Sequence, residues 1–272
     1  MNKTSIAWTD RTWNPSTGCD PISNGCANCY SKALSKRLHA MGSKRYTNGF
    51  KFTIHADKIR GPVSNKKPAR IFVNSMSDLL HKDAPDDFIM DVFDTMAVRA
   101  PWHEYQVLTK RAERWPEISE MVVKRFGRWP QNVIPGVTVE SIRYRYRLNL
   151  LGCVGDDSTT RMVSAEPLLG SLLNPHVPRH QAVDEFAQHL NGKGISHLVT
   201  GGESGFKARP AQVDWFRELR DACLRAGVPF FFKQHGGRGV TEKAKRGGEL
   251  AVLDGRTWTQ RPEVNGESVT LL

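Results

Sequence analysis

The sequence predicts an α/β fold of parallel strands joined by helices. Short β-rich runs alternate with stretches of helical periodicity, and polar residues recur just after the β-rich runs. Alternation of this kind implies right-handed crossovers between parallel strands, about seven strand–helix units in all, in a partial or complete parallel (β/α) barrel. At 272 residues the chain is long enough to bury one full core. The expected organisation is a barrel over residues 1–236 carrying a basic insertion at 43–68, with a C-terminal basic loop and small hairpin, 237–272, packed on it.

Each element has its own signal. Ile6-Ala7-Trp8-Thr9 reads as a first extended segment. Residues 27–41 place Tyr30, Ala33, Leu34, Leu38 and Met41 at helical spacing, and Gly42 ends the run. Ile71-Phe72-Val73 leads to a helix over 86–99, Tyr105-Gln106-Val107-Leu108 to one over 112–126, and residues 133–139 to one starting near Ser141. Met162-Val163 precedes a helix over 179–190, His197-Leu198-Val199 precedes one over 213–225, and Phe230-Phe231-Phe232 closes the series. The glycine-rich, basic stretch 236–248 reads as a linker or loop, and 250–258 as a hairpin turning at Asp254-Gly255.

Three of the five cysteines, Cys19, Cys26 and Cys29, fall within eleven residues, spaced C-x6-C-x2-C. An odd cysteine count in a chain whose start carries no signal-like segment argues against a disulfide framework and for a reducing, cytoplasmic setting. Clustered thiolates there suit a zinc ion or an iron–sulfur cluster. A closed zinc site needs a fourth ligand, and no His-x3-His pair stands nearby. Cys153 and Cys223 are solitary and read as core residues. Three thiolates with one position open fit a cluster better than a structural zinc.

In a parallel barrel, polar groups at the carboxyl ends of strands line the ligand site. The chain offers Asn74, Ser75 and Asp78, then Thr109, Lys110 and Arg111, then Glu140, Glu166, the set Gly201, Gly202 and Glu203, and finally Lys233 and Gln234. Gly201-Gly202 also reads as a phosphate-binding turn before a helix.

The three cysteines on a loop after a first strand, followed by Tyr30 and a helix, resemble the radical S-adenosylmethionine (SAM) enzymes, in particular a phage-borne branch. The resemblance runs through Trp13-Asn14-Pro15, Gly18-Cys19, Asn74-Ser75-Met76-Ser77-Asp78, Gly136-Val137-Thr138-Val139-Glu140, Ser164-Ala165-Glu166-Pro167-Leu168, Gly201-Gly202-Glu203-Ser204-Gly205 and Phe230-Phe231-Phe232-Lys233-Gln234. It differs from the commonest superfamily pattern in its six-residue first gap and in Asn28 before the last cysteine. The resemblance implies a barrel of the radical SAM type and a [4Fe-4S] cluster on Cys19, Cys26 and Cys29. It further implies reductive cleavage of SAM to a 5′-deoxyadenosyl radical, with an electron donor such as flavodoxin or ferredoxin. Among cofactor-binding residues it suggests Ser75 and Asp78 at the amino end of SAM, Lys110 at its carboxylate and Glu140 at the ribose. Glu166, Gly201, Gly202 and Glu203 join them without a transferable role. An isomerase- or lyase-type outcome, and the host cytoplasm as location, follow in the same way.

Thirty-nine basic against 28 acidic residues leave a net charge of +11, which favours a phosphate-bearing partner. Lys44, Arg45, Lys51, Lys58, Arg60, Lys66 and Lys67 are interleaved with Tyr46, Phe50 and Phe52, a mixture suited to gripping a backbone and stacking on bases. Lys243, Lys245 and Arg246 add a second basic cluster. The same charge also fits a merely solvated face. No apolar run approaches the ~20 residues of a membrane span. Three functions follow: a radical SAM enzyme acting on DNA or a modified nucleobase, by rearrangement of a hypermodified thymine or lesion repair; a zinc-dependent nucleic-acid-binding module without catalysis; or a radical SAM enzyme whose substrate is a small metabolite or protein.

Overall fold

In a computed structural model, described for residues 1–237 and 252–262, the eight strands of the main sheet follow the order of the chain. They are β1 (Asn2–Lys3), β2 (Arg11–Trp13), β5 (Arg70–Val73), β6 (Glu104–Thr109), β7 (Val133–Thr138), β8 (Arg161–Ala165), β9 (Ile195–Gly201) and β10 (Phe230–Gln234). The first strand is antiparallel to β2; β2/β5, β5/β6, β8/β9 and β9/β10 pair in parallel. Strands β7 and β8 are buried at every residue, as befits strands covered on both faces. The fold is thus α/β with a mostly parallel sheet, and no pairing among the described residues joins β10 to β1. The stretch 238–251, with Lys243, Lys245, Arg246 and most of the expected glycine-rich loop, lies outside the described residues.

The chain divides into two compact units. The first comprises Met1–Thr4, Thr9–Gly136 and Cys153–Thr159; the second comprises Ser5–Trp8, Val137–Gly152 and the chain from Thr160 onward. Within the first, Trp13 packs on Tyr105 with ring centroids 5.9 Å apart, and Trp129 meets Phe93 at 5.5 Å and Trp115 at 6.0 Å. These aromatics form a dry centre, fully buried for Trp13, Trp115 and Trp129. Helices α2 (Asp86–Asp94) and α3 (Trp115–Phe126) supply Phe93 and Trp115 to it, and the first unit also holds α1 (Tyr30–Ala40). Helix α2 has Asp86 and Asp87 in its first turn, where carboxylates complement the helix dipole, and passes into a wider π-turn over Thr95–Arg99.

The second unit holds α4 (Arg147–Leu151), α5 (Arg179–Gly192) and α6 (Val213–Ala226). Phe216 of α6 lies edge-on to Phe232 of β10 at 5.0 Å. The C-terminal hairpin, β11 (Val252–Leu253) and β12 (Arg256–Thr257), turns at Asp254-Gly255 with φ of 53° and 74°. Those left-handed values are what the Asp-Gly pair supplies in a two-residue hairpin. Asp254 then accepts hydrogen bonds from Arg217 and Arg220 of α6, and Phe232 N donates to Trp258 O at 2.8 Å, which lays the chain along β10.

Three expectations change. The first parallel strand is Arg11–Trp13, not 6–9: Trp8 is spent on a side-chain hydrogen bond to Glu166, while Arg11, Thr12 and Trp13 stand opposite Ile71, Phe72 and Val73. Residues 43–68 are no free insertion. The short strands β3 (Ser16–Thr17) and β4 (Thr53–Ile54) pair antiparallel, Cys19 N donates to Phe50 O at 3.1 Å, and Trp13 Nε1 donates to Lys58 O at 2.7 Å. Helix α1, finally, turns its periodic residues outward. Tyr30, Leu34 and Met41 are exposed, whereas Ser31 and Ser35 face in, their hydroxyls without a hydrogen-bond partner among the described residues.

Candidate functional site

Glycine at position 18 lets the cysteine loop begin. Its φ of +81° belongs to the left-handed region, and a Cβ there would run into the carbonyl oxygen of Lys51 and lie 2.8 Å from that of Phe50. Gly18 N donates to Met76 O at 3.0 Å, and Ser77 Oγ donates to Gly18 O at 2.7 Å, so the turn after β5 clamps the loop from the other side. Gly18→Ala should therefore cost on the order of 3 kcal/mol, the left-handed strain plus the overpacking. The expected loss of denaturant midpoint is checked by urea unfolding.

The motif residues around the loop brace one another. Asn14 Oδ1 accepts from Met76 N at 2.9 Å, Asn14 Nδ2 donates to Ser75 Oγ at 3.1 Å, and Asn74 Nδ2 donates to Ser16 Oγ at 2.9 Å. Tyr30 OH donates to Ser75 O at 2.5 Å, tying the start of α1 to the same turn. Ser75, expected at the amino end of SAM, is buried with its hydroxyl on Asn14.

Asp78 is the hub of this unit. Its Oδ1 accepts from Thr109 Oγ1 at 2.7 Å and Leu80 N at 3.0 Å, and its Oδ2 from Lys110 N at 3.1 Å and Arg111 Nη1 at 3.2 Å. Both oxygens are engaged and the residue is buried, so in this structure Asp78 orients the turn after β6. Arg111, also buried, donates from Nη1 to Cys19 Sγ at 3.3 Å and from Nη2 to Asp20 O at 3.0 Å. Sequence reasoning noticed Arg111 as a strand-end residue but gave it no role. The signal was its place beside Lys110 at the end of β6.

The three thiols are partly exposed. Burial pushes Cys19 up to about 11, and the charge of Asp78 adds to that, against the pull of Arg111. At Cys26 burial also acts to raise the pKa, yet a backbone hydrogen bond from Ile22, the charge of Lys110 and the hydrogen bond with Ser23 prevail, and the thiol lies below its ordinary value. Lys110 thus favours a thiolate in the loop. Cys223 is a buried core residue as expected; Cys153 is exposed instead.

Among the described residues, the three sulfurs do not come within 4.8 Å of one another as a group, whereas ligand-type atoms of Asp20, His81 and Asp83 do. Their chemistry opposes a cation. His81 Nδ1 accepts from Asp83 N at 3.2 Å, which leaves the proton of the neutral ring on Nε2, facing Asp20 Oδ2 at 3.4 Å. The Lys82 ammonium meanwhile stands 3.5 Å from Asp20 and 3.9 Å from Asp83. Phe52, expected to stack on bases, lies flat on the His81 ring at 4.5 Å, and Tyr46 is buried.

In the second unit the strand-end acids have partners of their own. Glu140 is wholly buried and paired with Arg147, Nη1 to Oε2 at 2.9 Å; Arg147 also donates to Thr138 O at 2.7 Å. Arg209 grips Glu203 through two nitrogens, at 2.9 and 2.6 Å. Gly202 is no phosphate turn: its N donates to Gln234 O at 3.0 Å, a Cβ on it would meet the His235 carbonyl, and α6 begins only at Val213. Gly201 O accepts from Leu168 N at 2.9 Å. Glu166 Oε2 accepts from Lys233 Nζ at 3.2 Å and Trp8 Nε1 at 3.3 Å, while its Oε1 is buried without a partner among the described residues. That oxygen keeps unspent acceptor capacity.

A family described as "Protein of unknown function (DUF5131)" matches residues 3–262, nearly the whole chain. The chain belongs to the DUF5131 family. No curated protein matches it. The match spans both units of this DUF5131 chain, the cysteine loop of the first and the strand-end acids of the second alike.

The basic residues of 43–68 lie mostly at the surface. Lys44, Arg45, Lys51, Arg60, Lys66 and Lys67 are exposed, and Lys58 is half-buried. Arg45 and Lys58 share Asp57, at 3.5 and 2.9 Å, and Lys66 Nζ rests 4.5 Å from the Trp102 ring centroid. No helix among the described residues is long and apolar enough to cross a membrane.

Proposed function

We propose that the chain is a radical SAM enzyme in which Cys19, Cys26 and Cys29 hold a [4Fe-4S] cluster and the substrate is DNA or a modified nucleobase. The observation that carries this reading is the cysteine loop itself: three thiols on one segment, clamped between residues 50–55 and the turn after β5, with a buried guanidinium donating to one sulfur. The donor set fits the group, since three soft ligands with a cation against them suit a negatively charged cluster and leave one iron for a small ligand. The strand order, which never doubles back as a doubly wound sheet does at its switch point, supports a partial barrel of the radical SAM type. When bound, the cluster supplies one electron, drawn from a carrier such as flavodoxin or ferredoxin, to cleave SAM into methionine and a hydrogen-abstracting radical.

The chain's own residues bind and orient. Lys110, whose charge acts on the Cys26 thiol, would neutralise the carboxylate of SAM. Asp78 and Ser75 hold the loop, and Glu166 with Lys233 offers an acceptor and a cation side by side for a ligand's polar edge. Anaerobic reconstitution tests the reading: a brown protein with about four irons, and 5′-deoxyadenosine formed from SAM under dithionite, support it. Stoichiometric zinc without iron uptake sinks it.

The nucleic-acid part of the proposal rests on the +11 charge and on the exposed lysines and arginines of 43–68. DNA binding should weaken steeply with salt, by a logarithmic slope of about 0.9 per phosphate contacted. Lys66→Ala with Lys67→Ala should flatten that slope by about 1.8 if each lysine meets one phosphate, a change that filter binding across a salt series reads directly. An unaltered slope would assign these lysines to a solvated surface.

A further inference from the structure

We infer that Arg111 sets how readily the cluster takes up its electron, an inference that rests on the reading of Cys19, Cys26 and Cys29 as cluster ligands. Arg111 is 7% exposed, and its guanidinium has little freedom to move. Its Nη1 donates to both Cys19 Sγ (3.3 Å) and Asp78 Oδ2 (3.2 Å), and Nη2 donates to Asp20 O (3.0 Å), the residue after the ligand. The backbone is fixed as well, with Arg111 N donating to Thr109 Oγ1 at 2.8 Å and that hydroxyl donating to Asp78. Asp78, held by four donors, therefore acts as the anchor that aims the guanidinium at the sulfur.

An arginine stays charged under all working conditions, and a buried N–H bonded to a ligand sulfur stabilises whichever state carries more negative charge on that sulfur. Uptake of one electron from the carrier adds that charge, so Arg111 favours the reduced state and raises the midpoint potential. Asp78 partly offsets the cation's field. What remains directed at Cys19 is the hydrogen bond and the oriented dipole of the pair. This gives Arg111 a positioning and tuning role at a sulfur of the loop, in addition to any structural one.

The test is a redox titration of the anaerobically reconstituted full chain, followed by electron paramagnetic resonance of the reduced state, on wild type, Arg111→Met and Arg111→Lys. Arg111→Met should lower the equilibrium constant for one-electron uptake at least tenfold, about 59 mV for a one-electron couple. Arg111→Lys, which keeps the charge but not the fork, should fall between. If both variants load and their constants stay within twofold of wild type, about 18 mV, the inference is overturned. Should Arg111→Met fail to load, Arg111→Lys decides by the same criterion. If neither variant loads while wild type does, Arg111 assembles the site and does not tune it, which also overturns the inference. A wild-type chain that takes up no cluster instead overturns the reading on which this rests.

Discussion

Replacing Cys19, Cys26 or Cys29 by alanine is expected to abolish four-iron loading and reduce 5′-deoxyadenosine to background, while Cys153→Ala and Cys223→Ala retain both. The three thiols lie on one loop whose start is clamped from either side, so on the proposed reading removing one leaves two ligands for a cluster held by three. Cys223 is a buried core residue of α6 whose pKa is pushed up by burial alone, and Cys153 is exposed in a different part of the first unit. Iron content and the visible spectrum of each reconstituted variant give the answer. Full loading of any loop variant would remove that cysteine from the ligand set.

Glu140→Ala should destabilise the chain by about 3–5 kcal/mol, the cost of leaving one member of a buried ion pair alone. The carboxylate is wholly buried, Arg147 is 1% exposed, and the guanidinium lies 4.4 Å from the Tyr144 ring centroid. With its partner removed, Arg147 keeps its charge in a dry site where, among the described residues, the Thr138 carbonyl is what remains on that nitrogen. Glu140 was expected to bind a ribose through its hydroxyls, and the two roles separate cleanly in experiment. A urea midpoint that collapses with Glu140→Ala marks the ion pair as the residue's work. An unfolding free energy within about 1 kcal/mol of wild type, with SAM binding lost, would restore the ligand role.

Much of the fold was legible because parallel strands announce themselves. The runs at 71–73, 105–108, 133–139 and 197–199 are short and apolar, sit between helical stretches, and each falls within a strand or within a residue of one. The positions of the strand-end acids were legible for the same reason. Their partners were not. Arg147 is seven residues from Glu140, past a short 3-10 turn over 142–144, and Arg209 is six from Glu203 across a loop, so no single helical or strand period relates either pair. The segment 43–68 was misread because its lysines and arginines dominate its composition, while the groups that tie it to the cysteine loop are backbone carbonyls and amides, which leave no trace in residue identity. Phe52 looked available to a base, and only the arrival of His81 from a turn 29 residues later shows what it stacks on.

The outward turn of α1 bears on how firmly the cysteine loop is anchored. A helix that buries two serines and exposes Leu34 and Met41 gains little from the removal of apolar surface, which is where most helices in proteins draw their stability. Cys29 sits at its N-terminal boundary, so the last thiol of the motif is attached to one of the less secure pieces of the first unit. The amides of α1 should then exchange with solvent faster than those of α3, which buries Trp115, Ile118 and Val122, and loading the thiols should slow them, because an ion that binds the folded form alone lends its binding energy to whatever segment carries its ligands.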